Sequence, residues 1–256
     1  QMTGGSKSEP TPTVISSDTP VPTSTATATL IPTDTPVPTP TVTRTATPDS
    51  RATLAAVQTA TQAAIDNRVN DELVEYGIDP SLGQVVWAYE DAVELDGGGY
   101  ATGFYQKIED LGVLEDFVVQ SEITWNTSGA LAGCGFIFRA PDDWDLDIGD
   151  WYEFYMLRVQ YAPVWFLDYW KDGRWEYSMP GWSGVESGNI EDENDSKNIL
   201  TLDVVGDTFT VYINGVKERA IQNDKVIEGR LAFQVVQNSG TSYCKFENTW
   251  VWAYNK

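Results

Sequence analysis

The sequence predicts an all-β protein, an antiparallel sandwich or jelly roll, preceded by one α-helix and an extended Thr/Pro-rich tail. Three observations carry this. From about residue 84 onward, apolar and polar residues alternate with period two, as half-buried strands do. The breaks Asp172-Gly173, Gly206-Asp207 and Asn214-Gly215 supply residues that tolerate the positive φ of tight hairpins. The composition also changes at Pro48. Thr and Pro fill 23 of the 39 positions from 10 to 48, whereas all ten Trp lie beyond residue 86.

Residues 1–49 read as a tether. A hexapeptide recurs at 18–23 and 34–39 (DTPVPT). Proline removes a backbone donor and biases its predecessor toward extended conformations. With almost nothing apolar to bury, the segment cannot offset its ordering entropy. At roughly 3.1 Å per residue the Thr/Pro tract could reach about 120 Å. It is either an O-glycosylated stalk or an unmodified linker. A chain that opens on Gln1 and runs into such a tract is expected of a processed, exported protein, the layout of many bacterial surface lipoproteins.

Residues 50–78 read as a helix. Asp49 or Ser50 can cap it, and Leu54, Val57, Thr61, Ile65, Val69, Leu73 and Tyr76 recur at three- or four-residue steps. The stripe is thin in its Thr/Ala-rich first half, so two readings stand: self-association as a coiled coil, or a helix lying on its own domain.

Residues 84–256 form the β-domain. Expected strands lie at 117–125, 134–139, 151–159, 164–171, 199–205, 208–213, 230–236 and 244–253, with 164–171 pairing to 174–178 and 199–205 to 208–213. Segments 116–125 (DFVVQSEITW), 133–139 (GCGFIFR), 151–158 (WYEFYMLR), 198–215 (NILTLDVVGDTFTVYING), 229–233 (GRLAF) and 246–248 (FEN) resemble a concanavalin A-like lectin/glucanase domain, laminin-G-like modules included. The resemblance covers roughly residues 85–254. It implies a jelly-roll β-sandwich and, for function, a choice among adhesion modules, sugar-binding lectins and glycoside hydrolases, which fold alone does not settle.

Composition excludes several chemistries. The formal net charge is −22, the wrong sign for nucleic acid or anionic lipid. With no His, Ser-His-Asp and Cys-His nucleophile systems and imidazole ligands are absent. Two Cys cannot build a zinc cluster. No run approaches the 18 or so apolar residues of a membrane span. Cys134 and Cys244 each sit on or beside an expected strand, and in an oxidising compartment they should pair.

Hydrolysis would need two carboxylates across a sugar bond. The glucanase branch carries them on one strand as E-x-D-x-x-E or E-x-D-x-E, and neither spacing occurs on a strand here. Residues 191–195 (EDEND) come closest and read as a solvated loop. No enzyme is expected; Glu153 and Asp168 would be the carboxylates to mutate if activity were found. Asp143, Asp145 and Asp147 alternate like the start of a calcium loop, but Ile148 and Phe154 stand where an EF-hand needs Gly and Glu. They are candidates for Ca²⁺ at a sandwich edge, or else a solvated acidic turn.

The aromatic load points furthest. Trp165, Tyr169, Trp170, Trp175, Tyr177 and Trp182 crowd one hairpin. Both parities of 164–171 carry aromatics, so some must face away from the core. Trp250 and Trp252 share one parity and are expected in the core. Rings with Asp, Arg and Gln suit a glycan. Arg139, Tyr155, Arg158, Asp168, Trp170 and Gln234 are therefore the expected ligand-binding residues on an open sheet face. The expectation is a secreted, surface-tethered, non-catalytic module that binds glycan or a neighbouring surface protein. The alternative is a self-assembling subunit of an extracellular filament or layer, its tail or helix packing on the next copy.

Overall fold

The computed structural model describes residues 50–97, 102–128, 131–159, 162–179, 181, 183–237 and 239–256. The expected tether (1–49) and Trp182 lie outside the described residues. The helix α1 (Ser50–Glu75) is followed by β1 (Gly83–Tyr89), β2 (Val93–Asp96), β3 (Thr102–Lys107), β4 (Phe117–Ser128) and β5 (Ala132–Ala140). Next come β6 (Trp151–Val159), β7 (Ala162–Lys171), β8 (Arg174–Met179) and the short β9 (Val185–Glu186). The chain closes with β10 (Lys197–Val205), β11 (Thr208–Ile213), β12 (Val216–Gln222), β13 (Arg230–Gln237) and β14 (Thr241–Tyr254).

These strands build two antiparallel sheets. The back sheet runs β1-β14-β4-β10-β11-β12, with β2 on β14; the front sheet runs β3-β13-β5-β6-β7-β8, with β9 on β7. The result is the expected jelly-roll β-sandwich. Both expected hairpins form, β7 with β8 and β10 with β11. Their turns take the predicted conformation: Asp172 (φ 48°), Gly173 (71°) and Gly206 (56°) are left-handed, as are Asn214 (50°) and Gly215 (78°) before β12.

Alternation fills the space between the sheets. Phe117, Val119, Ile123 and Trp125 of β4 face Phe136 and Phe138 of β5, Tyr152, Phe154 and Met156 of β6, and Trp165, Leu167 and Tyr169 of β7 in one buried cluster. Cys134 of β5 and Cys244 of β14 are bonded across it, Cα atoms 5.8 Å apart.

Trp250 and Trp252 are buried, but not in that core. A register shift between Glu247 and Trp250, with Asn248 left-handed, turns β14 over. Phe246 therefore points between the sheets, while Trp250 and Trp252 point out of the back sheet. The extra residue of a β-bulge inverts parity beyond it. What buries them is α1: Val69 and Leu73, flanked by Ile65 and Tyr76, pack on Val118, Trp250 and Trp252. The Glu72 carboxylate accepts from Trp250 Nε1 (2.8 Å) and from Gln120 Nε2, and Tyr76 Oη donates to Gln120 Oε1 (2.7 Å). Gly77 (φ 77°) ends the helix, and Ile78 N–H returns to Leu73 O at 2.9 Å, a Schellman closure that tucks Ile78 under the same cluster. Of the two readings of the helix, its C-terminal half follows the second, lying on its own domain.

Candidate functional site

The outer face of the front sheet collects the polar and aromatic residues that alternation keeps out of the core. Register places them in three rows. One runs Tyr105, Gln234, Gly135, Tyr155, Phe166; the next Lys107, Ala232, Ile137, Glu153, Asp168, Ser178; the third Trp151, Trp170, Trp175. Gly135 makes room, because a Cβ there would come within 2.6 Å of Tyr155 Cβ.

Two cross-strand aromatic pairs bracket the middle row. Trp151 and Trp170 stack at 5.2 Å and 10°, and Tyr155 and Phe166 at 5.3 Å and 15°. Between them Glu153 and Asp168 lie directly opposite each other on β6 and β7. Asp168 accepts from Tyr155 Oη (2.8 Å) and Ser178 Oγ (2.5 Å), and Glu153 accepts from Trp151 Nε1 (3.2 Å). Gln234, only 5% exposed, has no partner for its Oε1, while the Trp170 indole N–H faces the Glu153 carboxylate. An unmatched acceptor on an aromatic-walled strip can take up a ligand's hydroxyl.

Burial governs the electrostatics. It raises Asp168, against the hydrogen bonds of Ser178 and Tyr155. It lifts Glu153 to about 7, with the Asp168 charge adding to the rise and the side chains of Gln234, Trp151 and Trp170 opposing it. With two hydroxyl donors, Asp168 is the group better suited to carry charge, while Glu153 shares a proton near neutrality. An unfolded glutamate titrates at about 4.3, so between that value and about 7 the native state binds more protons. Stability from this group is therefore full below about pH 4 and declines as pH rises, by about 4 kcal/mol at pH 8. Glu153→Gln should remove that slope. Urea midpoints at pH 4 and pH 8 check it: a variant that falls as steeply as wild type contradicts the assignment.

Four of the expected ligand residues, Tyr155, Asp168, Trp170 and Gln234, meet here. The two arginines do not. Arg139 has φ 53° at a register shift between β5 and β13, and this bulge turns it from the outer face to the end of the sandwich. There its guanidinium donates to the carbonyls of Val226 (2.7 Å), Glu115 (2.9 Å) and Gly206 (2.8 Å). Arg158 is opposite in parity to Tyr155 on one strand, so both cannot share a face. It lies over the Trp125 ring at 5.2 Å and donates to Thr127 O (3.2 Å), Asn194 Oδ1 (2.5 Å) and Asp192 O. The same parity rule would have added Trp151 and Glu153 to Tyr155 and Phe166 to Asp168 and Trp170, while Ser178 needed the register.

Asp143, Asp145 and Asp147, the expected calcium candidates, lie in the turn between β5 and β6. Asp143 Oδ1 accepts from Asp145 N and Asp145 Oδ1 from Asp147 N, each at 3.2 Å, so the first two carboxylates wind their own turn. Among the described residues no three His, Cys, Asp or Glu side chains are grouped to hold a metal. The turn instead carries Trp144 and Leu146 onto Ile137, Trp151, Trp170 and Ala232. Trp144 stacks on Tyr105 at 5.8 Å, with Lys107 Nζ 5.3 Å from its centroid.

No family model matches the chain, and no curated protein matches it. Among solved structures it is similar to the carbohydrate-binding module CBM66 from Bacillus subtilis, at 16% identity and a TM-score of 0.45, covering 66% of this chain and 93% of that one. A Bacillus subtilis protein of unknown function with a galectin-like fold aligns at 11% identity and a TM-score of 0.47, covering 67% and 97%. A β-glucanase from Bacillus licheniformis aligns at 10% and 0.42, covering 66% and 94%. Each of these is a likeness of fold alone.

Proposed function

We propose that this chain is a secreted, cell-surface module that binds a glycan on the outer face of the front sheet without cleaving it, held out on its Thr/Pro-rich tether. The observation that supports this most is the Glu153–Asp168 strip between two stacked aromatic pairs, with Gln234 Oε1 unmatched beside it. Sugar rings stack their C–H faces on aromatic rings, and their hydroxyls both donate and accept, so one ligand can meet rings, carboxylates and amide together. A glycan fits this arrangement better than a neighbouring surface protein would. Trp175, 48% exposed beside Trp170, offers a first ring to an incoming chain.

Affinity electrophoresis through gels cast with polysaccharides tests the proposal. Wild type should be retarded by at least one, and Trp170→Ala or Gln234→Leu should weaken retardation at least about tenfold, roughly 1.4 kcal/mol. Free migration of wild type through every gel would contradict it.

The acid pair favours one further reading, a glycoside hydrolase. Residues directly opposite on antiparallel strands have Cβ atoms about 4.5–5.5 Å apart, and burial raises both carboxyls above their ordinary values, as a proton-holding acid requires. Against it, both oxygens of Asp168 already accept hydrogen bonds and the residue is 3% exposed, a poor nucleophile. Reducing ends released by wild type and lost in Asp168→Asn would favour the enzyme. The filament alternative gains nothing from the apolar stripe of α1 from Ile65 to Tyr76, which packs on the chain's own sheet.

A further inference from the structure

We infer that the front-sheet site is selective for uncharged glycans and rejects those bearing carboxylate or sulfate groups. The inference rests on the glycan reading above and adds the class of sugar.

It follows from where the cations are. Arg139 and Arg158, expected on the open sheet face, are turned to the ends of the sandwich and occupied by backbone carbonyls. Arg230, the next basic residue on β13, is paired with Asp142 at 2.7 Å and with Leu111 O at 2.6 Å. Lys107 lies over the Trp144 ring. Lys171 and Arg174 sit at the hairpin tip, beyond the row of Trp170 and Trp175 and next to Asp172. Apart from Lys107 at its β3 end, the ionisable groups of the strip are acidic: Glu153 and Asp168, both buried.

The unmatched atom makes the same demand. Gln234 Oε1 is an acceptor and needs a donor from the ligand. A hydroxyl can supply it. A carboxylate or sulfate has no proton for Gln234, and it would bring a negative charge beside two carboxyls in a poorly solvated place. The groups facing Glu153 are Asp168 from β7, Gln234 from β13, and the indoles of Trp151 and Trp170, none of which is a cation. As Glu153 loses its proton above neutrality, rejection should sharpen.

The test uses one polysaccharide that retards the full chain, and the same polysaccharide with its primary alcohols oxidised to carboxylates. Gels are run at low salt and at high salt, because the net charge of −22 would by itself slow entry into a polyanion and is screened within roughly 3 Å at 1 M salt. The expected result is at least tenfold weaker retardation by the oxidised form, persisting at high salt, smaller at pH 5 than at pH 8, and reduced in Glu153→Gln. Circular dichroism of that variant should match wild type; if it does not, Asp168→Asn takes its place. Equal or stronger binding of the oxidised form at high salt overturns the selectivity and leaves glycan binding intact. Binding of neither form, across the whole panel of neutral polysaccharides, overturns the glycan reading and the selectivity with it.

Discussion

Replacing Cys134 and Cys244 together by alanine should lower the free energy of unfolding by about 4.7 kcal/mol on the loop-entropy estimate. The bond closes a span of 110 residues, and it joins the two sheets: Cys134 lies in the front sheet on β5, Cys244 in the back sheet on β14, both without solvent exposure. Cutting it returns that loop's freedom to the unfolded chain and leaves two small side chains where the sheets were drawn together. For a domain of this size each kcal/mol lost moves the melting midpoint by about 2–4 °C, so the fall should be on the order of 10–20 °C. Urea denaturation of the variant against the oxidised wild type measures it. A loss under about 1 kcal/mol would mean that the unfolded chain keeps the two segments together without the bond.

Both cysteines could be placed from the sequence, and the reason separates what was legible from what was not. Period-two alternation and positive-φ turn residues are local signals. They located β7–β8 and β10–β11 and paired them correctly, because a two-residue turn leaves one register. Strand order is not local. Nothing between Phe117 and Ser128 announces that β4 lies between β14 and β10, although the pairing makes it the middle of the back sheet.

The candidate site divides the same way. Tyr155, Asp168, Trp170 and Gln234 follow from parity, but Asp168 meets Glu153 only once β6 and β7 are set in register. Bulges are the harder obstacle. Trp250 and Phe246 are both even-numbered on one strand and face opposite ways, because an extra residue sits at Asn248. Asn tolerates a left-handed backbone, so that position carried a weak hint. Arg139 carried none, since a long charged residue in a left-handed conformation is held there by tertiary contacts and not by its own preference.

Those contacts make Arg139 the second place where one side chain should matter greatly. Its guanidinium reaches carbonyls from three separate segments: Glu115 before β4, Gly206 in the β10–β11 turn and Val226 before β13. It also lies 5.3 Å from the Phe209 ring centroid. Asp116 stands 3.9 Å away and accepts from Gly206 N at 2.7 Å, so the same turn is held from both sides. Burial lowers the affinity of Arg139 for its proton, with Tyr152, Asp116 and Glu115 opposing, yet arginine stays charged in proteins. Arg139→Met keeps much of the length and the apolar stem but strands three carbonyls and leaves Asp116 without its cation. The expected loss is about 3–5 kcal/mol, because each buried acceptor left unsatisfied costs about 1–3 kcal/mol, while Asp116, 34% exposed at 3.9 Å, adds little. Arg139→Lys should recover only part of it, because one ammonium cannot reach all three carbonyls as a planar fork does. The check is a pair of urea curves with unchanged slopes and lowered midpoints, methionine below lysine. Loss of glycan retardation in Arg139→Lys, measured where that variant is fully folded, would instead return the residue to the ligand face; unchanged retardation agrees with a guanidinium that ties turns together at the end of the sandwich.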